Sequence, residues 1–201
     1  MYDHEVKDVT AFVLAGGKST RMGRDKAFLH WAGGTLLSNA LKVAASVTAN
    51  VVIVGDTQKF SCAGVVVEDA YRDRGPLGGI HAALSHSTTD LNLMLAVDLP
   101  FVQAPFLAYL IRQARESQAM ITVPRASGGF HPLCAVYRKE FVTLAEQSLR
   151  ERKNKIDSLF PKVACRILEE DELRKAGFSP EIFRNLNTPE ELERAKGEHP
   201  L

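Results

Sequence analysis

The stretch Leu14–Lys26, which reads LAGGKSTRMGRDK, directly follows an apolar run at 9–14 that predicts a buried β-strand. The paired glycines Gly16 and Gly17 allow backbone N–H groups to turn toward one point, and they let a bulky ligand approach closely. The same loop carries four basic side chains, Lys18, Arg21, Arg24 and Lys26. Backbone amides combined with fixed cations are typical of a phosphate-binding site.

Two better-known phosphate motifs do not fit this loop. A P-loop requires a glycine five residues before its Gly-Lys-Ser, and this chain has Phe12 at that position. A dinucleotide fingerprint requires G-x-G-x-x-G, which Gly16, Gly17 and Gly23 do not supply. The loop therefore predicts a phosphate site of another kind, with a plain glycine turn as the alternative interpretation.

Length and composition limit the choice of fold and partner. The chain has 201 residues, of which 45% are hydrophobic, so it can form one domain with a substantial core. Its 25 basic and 24 acidic residues give a net charge of +1, which argues against a dedicated nucleic-acid-binding protein. We expect a single domain over 1–201, with a loose N-terminus at 1–8.

The cysteines and the N-terminus indicate the compartment. Cys62, Cys134 and Cys165 lie far apart, so they form neither a zinc knuckle nor a redox dithiol motif. The first eight residues are too charged for a signal peptide, and no apolar run is long enough to cross a bilayer. These features predict a soluble cytoplasmic protein that does not contact a membrane.

Short apolar runs alternate with helical patterns along the chain. The predicted strands are 9–14, 51–54, 65–67, 93–97, 119–123, 130–137 and 163–168. The predicted helices are about 35–48, 80–86, a helix with Pro105 in its first turn, about 139–152, and a C-terminal helix that begins with a capping box at Thr188 and Glu191. This alternation predicts a three-layer α/β fold with a mainly parallel, Rossmann-like sheet and helices on both faces.

Acidic side chains follow several of the predicted strands. Asp56, Asp69 and Asp98 each come just after a strand, as the glycine loop does. Because ligands bind at the carboxyl ends of strands in such sheets, one cleft could gather these groups. Asp98 follows a wholly apolar strand, where an isolated carboxylate is costly unless it is paired or bound to a metal. It is either a salt-bridged or capping acid, or a magnesium ligand.

The full pattern L-A-G-G-x-S-x-R-M-G-x-D-K at 14–26 resembles the signature loop of the molybdenum cofactor guanylyltransferases. These nucleotidyltransferases attach GMP to molybdopterin. The resemblance implies a fold of the nucleotidyltransferase type and transfer of GMP from GTP to the terminal phosphate of molybdopterin, with release of pyrophosphate. We expect about 9–100 to form a nucleotide-binding half and about 101–201 an acceptor-binding half.

The resemblance also implies roles for individual residues. The catalytic set is Arg21, Lys26 and Asp98, with Asp98 as the ligand of Mg²⁺. The nucleotide-binding set is Leu14, Ala15, Gly16, Gly17, Lys26, Asp69 and Asp98. The acceptor-binding set is Gly78, Gly79, Asn185 and Asn187. Asp69 as a turn-forming acid, the glycines as helix-packing residues and the asparagines as turn and cap residues remain alternatives.

One position departs from the family pattern. Asp56 stands where relatives present an asparagine to the nucleotide, and a carboxylate lacks the donors of an amide, so its role stays open. H-E-x-x-H and G-x-S-x-G motifs are absent from the sequence, which argues against a zinc protease and a hydrolase elbow. His131, which precedes Pro132, either reaches the substrate or is a buried structural side chain, and we favour the structural interpretation.

The sequence leaves several functional alternatives open. A cytidylyltransferase is one, although such enzymes tend to have Leu-Ala-Ala-Gly in place of Leu14–Gly17. A sugar-phosphate nucleotidyltransferase and a nucleotide-binding regulator without turnover are others, and the joint presence of Lys26 and Asp98 argues against the regulator. The expected partners are GTP and molybdopterin, with transient contacts to cofactor-synthesis proteins or molybdoenzymes, and we expect a monomer.

Overall fold

A computed structural model describes residues 8–16, 25–71, 74–186 and 188–198. Its strands are β1 (Val9–Leu14), β2 (His30–Trp31), β3 (Gly34–Thr35), β4 (Asn50–Val54), β5 (Val66–Val67), β6 (Leu91–Ala96), β7 (Ile121–Ala126), β8 (Gly129–Phe130), β9 (Cys134–Arg138) and β10 (Cys165–Glu169). Its α-helices are α1 (Leu36–Ala45), α2 (Thr57–Phe60), α3 (Pro76–His86), α4 (Ala104–Ser117), α5 (Phe141–Arg150), α6 (Glu170–Lys175) and α7 (Pro189–Glu198).

The main sheet has the strand order β10-β7-β9-β6-β1-β4-β5, and β8 pairs with β7. β1 is parallel to both β4 and β6, β5 is parallel to β4, and β10 is parallel to β7. β9 runs antiparallel to both of its neighbours, β6 and β7. The mainly parallel α/β sheet predicted from the sequence is therefore confirmed.

The centre of the sheet contains a topological switch point. The first four strands of the main sheet along the chain lie in the spatial order β5-β4-β1-β6. The chain therefore moves outward from β1 on one side and then returns to pair β6 on the other side of β1. In sheets of this kind the loops after the two central strands leave in opposite directions and open a crevice at their carboxyl ends. The carboxyl end of β1, through Gly16, and Asp98 after β6 lie at this crevice.

Two apolar layers cover the sheet. One cluster joins α1 and α4 to the side chains of Val9, Ala11 and Val13 on β1, whereas the other joins α3 and α5 to Phe12 and Leu14 of the same strand. Because both faces of β1 are covered, its sequence is an unbroken apolar run rather than an alternating one. No helix in the described ranges is long and apolar enough to cross a membrane.

The predicted C-terminal helix agrees with the structure at its start, whereas two other helices differ from the prediction. The capping box is present, since Glu191 N donates to Thr188 Oγ1 at 3.2 Å and Thr188 N donates to Glu191 Oε2 at 3.2 Å. α3 starts at Pro76, four residues earlier than predicted, because Pro76 suits the first helical turn after Gly75, whose φ is 68°. The short helix α6 was not predicted, since six residues are too few to show a clear apolar period.

The two-sided packing of β1 predicts how the core responds to truncation. We expect Phe12→Ala to lower the free energy of unfolding by about 3–5 kcal/mol, because the fully buried ring leaves a cavity between the sheet and its helical layer. Urea titration followed by circular dichroism measures the change. Phe28→Ala is the matched control, since the Phe28 ring is 49% exposed and its loss should cost less than about 1 kcal/mol. Equal losses in the two variants would contradict the assigned core.

Candidate active site

The ammonium group of Lys26 and the carboxylate of Asp98 form a hydrogen-bonded ion pair. Lys26 begins a short 3-10 helix, Lys26–Phe28, after the glycine loop, and Asp98 lies two residues beyond the end of β6. The two side chains are only 21% and 15% exposed, so the pair is partly removed from water. Two predicted catalytic residues that are 72 positions apart in sequence therefore meet at the switch point of the sheet.

The backbone around Asp98 is held by two distant parts of the chain and by a hydrogen bond within its own turn. Val97 N donates to Leu14 O at 3.2 Å, which ties the strand end to β1. Leu186 N donates to Asp98 O at 3.1 Å, and Leu99 N donates to Ala96 O at 3.3 Å. Because these bonds fix the main chain of the segment, only the carboxylate side chain of Asp98 can change its position.

Asp25 orients the start of the helical turn that carries Lys26. Its Oδ1 accepts a hydrogen bond from Ala27 N at 3.2 Å, which caps the 3-10 helix, and its Oδ2 lies 3.0 Å from Lys59 Nζ. The hydrogen bond and the charge of Asp25 raise the pKa of the Lys59 ammonium. Such an exposed pair contributes little to stability. Its effect is local, since it links the Lys26 backbone to α2.

The first backbone amides after β1 are hydrogen-bonded within the sheet. Ala15 N and Gly16 N both donate to the carbonyl oxygen of Val54, at 2.9 and 3.1 Å. These two amides are therefore engaged by β4 and are not open donors, in contrast to the expectation that this part of the loop turns its amides toward a ligand. Leu14 and Ala15 are buried and Gly16 is exposed, so the chain reaches the surface at the first glycine.

Asp69 packs directly against the first turn of α3. A Cβ atom placed on Gly78 would lie 2.2 Å from Asp69 Oδ2, which means that only glycine fits at this position without movement. Asp69 Oδ1 also accepts a hydrogen bond from Tyr71 N at 2.7 Å. The carboxylate thus lies at the N-terminal end of α3, where the helix dipole favours a negative charge.

Gly79 serves a different contact from that of Gly78. Its hypothetical Cβ would lie 3.5 Å from Leu14 Cδ2 and 3.7 Å from Val54 Cγ1, distances of ordinary van der Waals contact. The first turn of α3 therefore lies over the ends of β1 and β4. It brings together four residues of the predicted site, Leu14, Asp69, Gly78 and Gly79.

Two further predicted positions have clear local environments. Asp56 is the N-cap of α2, and its Oδ1 accepts a hydrogen bond from Gln58 N at 2.9 Å, so the structure gives it a capping role. Asn185 is exposed, and it lies one residue before Leu186, whose N–H bonds to Asp98 O. The segment that carries Asn185 therefore borders the Asp98 end of the crevice.

Three predicted site residues, Gly17, Arg21 and Asn187, lie outside the described residues. The pairing of Lys59 with Asp25 was not predicted, because no sequence period marks a contact between two side chains 34 positions apart. The bond from Leu186 to Asp98 also had no sequence signal, since it joins main-chain atoms only.

The donor set at the crevice restricts the kind of metal site that is possible. Within the described ranges, no cluster of three or more His, Cys, Asp and Glu side chains is arranged to hold a metal ion. A single partly buried carboxylate does not form a protein cage. It does fit Mg²⁺, which often takes one or two carboxylates and completes its octahedron with phosphate oxygens and water.

Comparison with known proteins agrees with this geometry. The MobA-like NTP transferase domain matches residues 11–163. The chain is 34% identical to a probable molybdenum cofactor guanylyltransferase of Pelotomaculum thermopropionicum over 93% of this chain and 91% of that protein. It is 32% identical to a molybdenum cofactor guanylyltransferase of Syntrophotalea carbinolica over 95% of this chain and 92% of that protein.

A solved structure shows the same likeness in three dimensions. Molybdopterin-guanine dinucleotide biosynthesis protein A from Archaeoglobus fulgidus superposes with a TM-score of 0.82 at 26% identity, over 94% of this chain and 97% of that one. The resemblance found in the glycine loop is thereby confirmed along nearly the whole sequence. Since the matched domain covers well over half of the residues, the chain belongs to the MobA-like NTP transferase family.

Proposed function

We propose that this chain transfers GMP from GTP to the terminal phosphate of molybdopterin, releasing pyrophosphate and forming the guanine dinucleotide cofactor. The observation that carries the proposal is the meeting of Lys26 with Asp98 at the switch point of the sheet. A cation for phosphates and a carboxylate for a divalent metal are the two parts that nucleotidyl transfer requires. The guanylyltransferase names of the relatives support guanine as the base and molybdopterin as the acceptor.

Lys26 is proposed to hold the triphosphate. Its flexible ammonium group can leave the Asp98 carboxylate and follow the charge that builds on the phosphate oxygens. Arg21 is proposed to assist, because a guanidinium group can contact two phosphate oxygens at once. Together the two cations would stabilise the negative charge of the departing pyrophosphate.

Asp98 is proposed to bind a divalent cation, with Mg²⁺ as the expected ion. The bound cation would neutralise charge on the phosphate oxygens of the nucleotide. The fixed main chain of the Asp98 segment suits this role, because the carboxylate is presented from a rigid strand end. Asp69, oriented by Gly78 and the start of α3, is proposed to contact the nucleotide.

The chemical step requires positioning more than a covalent catalyst. A terminal phosphate oxygen of the acceptor attacks the α-phosphorus of GTP in line, and the bond from that phosphorus to the pyrophosphate oxygen breaks. The acceptor phosphate is already ionised near neutral pH, so the step needs no strong general base. Asn185 and Asn187 are proposed to hold the acceptor, since an amide both donates and accepts hydrogen bonds.

The nucleotide requirement is the direct test of the proposed function. With molybdopterin as acceptor and Mg²⁺ present, we expect pyrophosphate release with GTP and much less with ATP, CTP or UTP. Release is measured with a coupled phosphate assay, and the dinucleotide product by mass spectrometry. Preference for CTP would contradict the choice of guanine, and binding of GTP without turnover would favour a regulatory protein.

The ion pair predicts a competition at Asp98. We expect Lys26→Met to raise the affinity for Mn²⁺ by about five-fold in the absence of nucleotide, because the ammonium no longer neutralises the carboxylate. Mn²⁺ is titrated by electron paramagnetic resonance of the free ion. Lys59→Met is the matched control, since Lys59 pairs with Asp25 instead, and it should leave the affinity unchanged.

Asp98→Asn completes this set of variants. It should abolish the Mn²⁺ binding that Lys26→Met strengthens, because an amide oxygen is a weaker ligand without a charge. If Mn²⁺ binds equally well to the unsubstituted protein and to both of these variants, the cation does not bind at Asp98.

The contact between Gly78 and Asp69 predicts a selective kinetic effect. In Gly78→Ala the new Cβ must displace the Asp69 carboxylate, so we expect the KM for GTP to rise about ten-fold with little loss of thermal stability. Gly79→Ala is the neighbouring control, because its Cβ meets only ordinary contacts and should change KM less than about two-fold. Equal KM values in the two variants would remove Asp69 from nucleotide binding.

A further inference from the structure

His131 lies at the same edge of the sheet as Asp98, in the turn that leads into β9. Because β9 is antiparallel to its neighbours, the start of β9 adjoins the carboxyl ends of β6 and β7. The carbonyl of Leu133 accepts a hydrogen bond from Ala96 N at 2.8 Å, which ties this turn to the strand that precedes Asp98. The main chain of His131 is fixed as well, since its N–H donates to Pro124 O at 2.9 Å.

Two contacts fix the imidazole ring. Its Nε2 lies 3.2 Å from the carbonyl oxygen of Ala126, and the ring stacks on Phe183 with centroids 4.1 Å apart and an interplanar angle of 11°. Phe183 is itself buried and meets Phe106 edge to face at 5.3 Å. The ring therefore has little freedom to rotate.

These contacts also determine which nitrogen carries the proton. A carbonyl oxygen only accepts hydrogen bonds, so Nε2 must be protonated, and Nδ1 of the neutral ring has a free lone pair. Nδ1 has no hydrogen-bond partner in the described part of the chain, and the residues described there do not enclose it completely. Burial of the ring lowers the pKa of His131, which keeps Nδ1 unprotonated near neutral pH.

The partner of this lone pair is indicated by the surroundings of the ring. Phe183 is two residues from Asn185, a predicted acceptor-binding residue, and three from Leu186, whose N–H bonds to Asp98 O. Three residues of extended chain span at most roughly 11 Å. A ligand next to Asn185 is thus within reach of the ring.

We infer that His131 is an additional acceptor-binding residue, whose Nδ1 accepts a hydrogen bond from an N–H group on the acceptor's heterocycle. The inference rests on the proposed function. The ligand class is a fused pyrimidine ring with N–H donors, which a pterin supplies. Of the two interpretations of His131 that the sequence allows, the stacking on Phe183 supports the structural one, but that contact leaves Nδ1 available for a substrate.

Two amide substitutions separate the ligand-binding role from the structural one. His131→Asn places an amide oxygen close to the position of Nδ1, whereas His131→Gln places its amide close to Nε2. His131→Phe keeps the ring that stacks on Phe183 and removes both nitrogens. The exposed His86 at the end of α3 provides a control, His86→Phe.

The measurement is the Kd for molybdopterin, obtained from quenching of the pterin fluorescence, beside the Kd for GTP and the melting temperature of each variant. We expect His131→Phe and His131→Gln to bind molybdopterin about 3- to 10-fold more weakly, as the loss of one neutral hydrogen bond implies. His131→Asn should lose less than about two-fold. The Kd for GTP should not change in any variant, nor should either Kd in His86→Phe.

Each other outcome is decisive. If His131→Gln binds molybdopterin normally and His131→Asn does not, the ring acts through Nε2 and its role is structural. A folded His131→Phe variant with an unchanged Kd for molybdopterin overturns the inference even if the amide variants do not fold. Molybdopterin binding without GMP transfer by the unsubstituted protein counts against the proposed function alone, whereas a lack of molybdopterin binding counts against both.

Discussion

The cost of leaving a carboxylate at the end of a buried strand shapes the whole candidate site. Asp98 follows a strand whose six residues are all buried, and its own side chain is largely screened from water. A charge in that position must be paired or bound to a metal. In this structure the carboxylate is paired with Lys26, which comes at the end of the loop that follows β1. The sheet makes the pairing possible, because only adjacent strands that run in parallel bring their following residues together at one edge.

That constraint explains the arrangement of the surrounding elements. The hydrogen bonds from Val97 to Leu14 and from Leu186 to Asp98 fix the main chain on both sides of the carboxylate. Gly78 lets a second carboxylate, Asp69, lie against the first turn of α3. The negative groups are thus held by backbone and helix ends, while the positive group is carried on a long flexible side chain. An incoming polyanion can therefore rearrange the cation without disturbing the fold.

Sequence patterns predicted the features that depend on local chemistry. Residues adjacent in sequence are enough to recognise three of these features: the apolar run of β1, the capping box at Thr188 and the position of Asp98 after a core strand. The parallel sheet then implied that the loop after β1 and Asp98 lie near each other. The contacts of Asp25 with Lys59 and of Leu186 with Asp98 could not be predicted, since they join side chains or main-chain atoms that are far apart in the sequence. The hydrogen bonds that engage the amides of Ala15 and Gly16 could not be predicted either. A glycine permits a turn, but it does not specify which carbonyl the nearby amides will meet.

The titratable groups around the crevice are consistent with a transfer that needs no nucleophile from the protein. Cys134, at the start of β9, also lies near this edge of the sheet. Its thiol is fully buried, and burial raises its pKa, so it does not form a thiolate near neutral pH. His131 stays neutral for the same reason, since burial opposes the charged form of its ring. The charged groups that remain in the described part of the crevice are an ammonium and carboxylates. Such a set can bind phosphates and a cation and can orient them, and an ionised phosphate acceptor supplies the attacking oxygen itself.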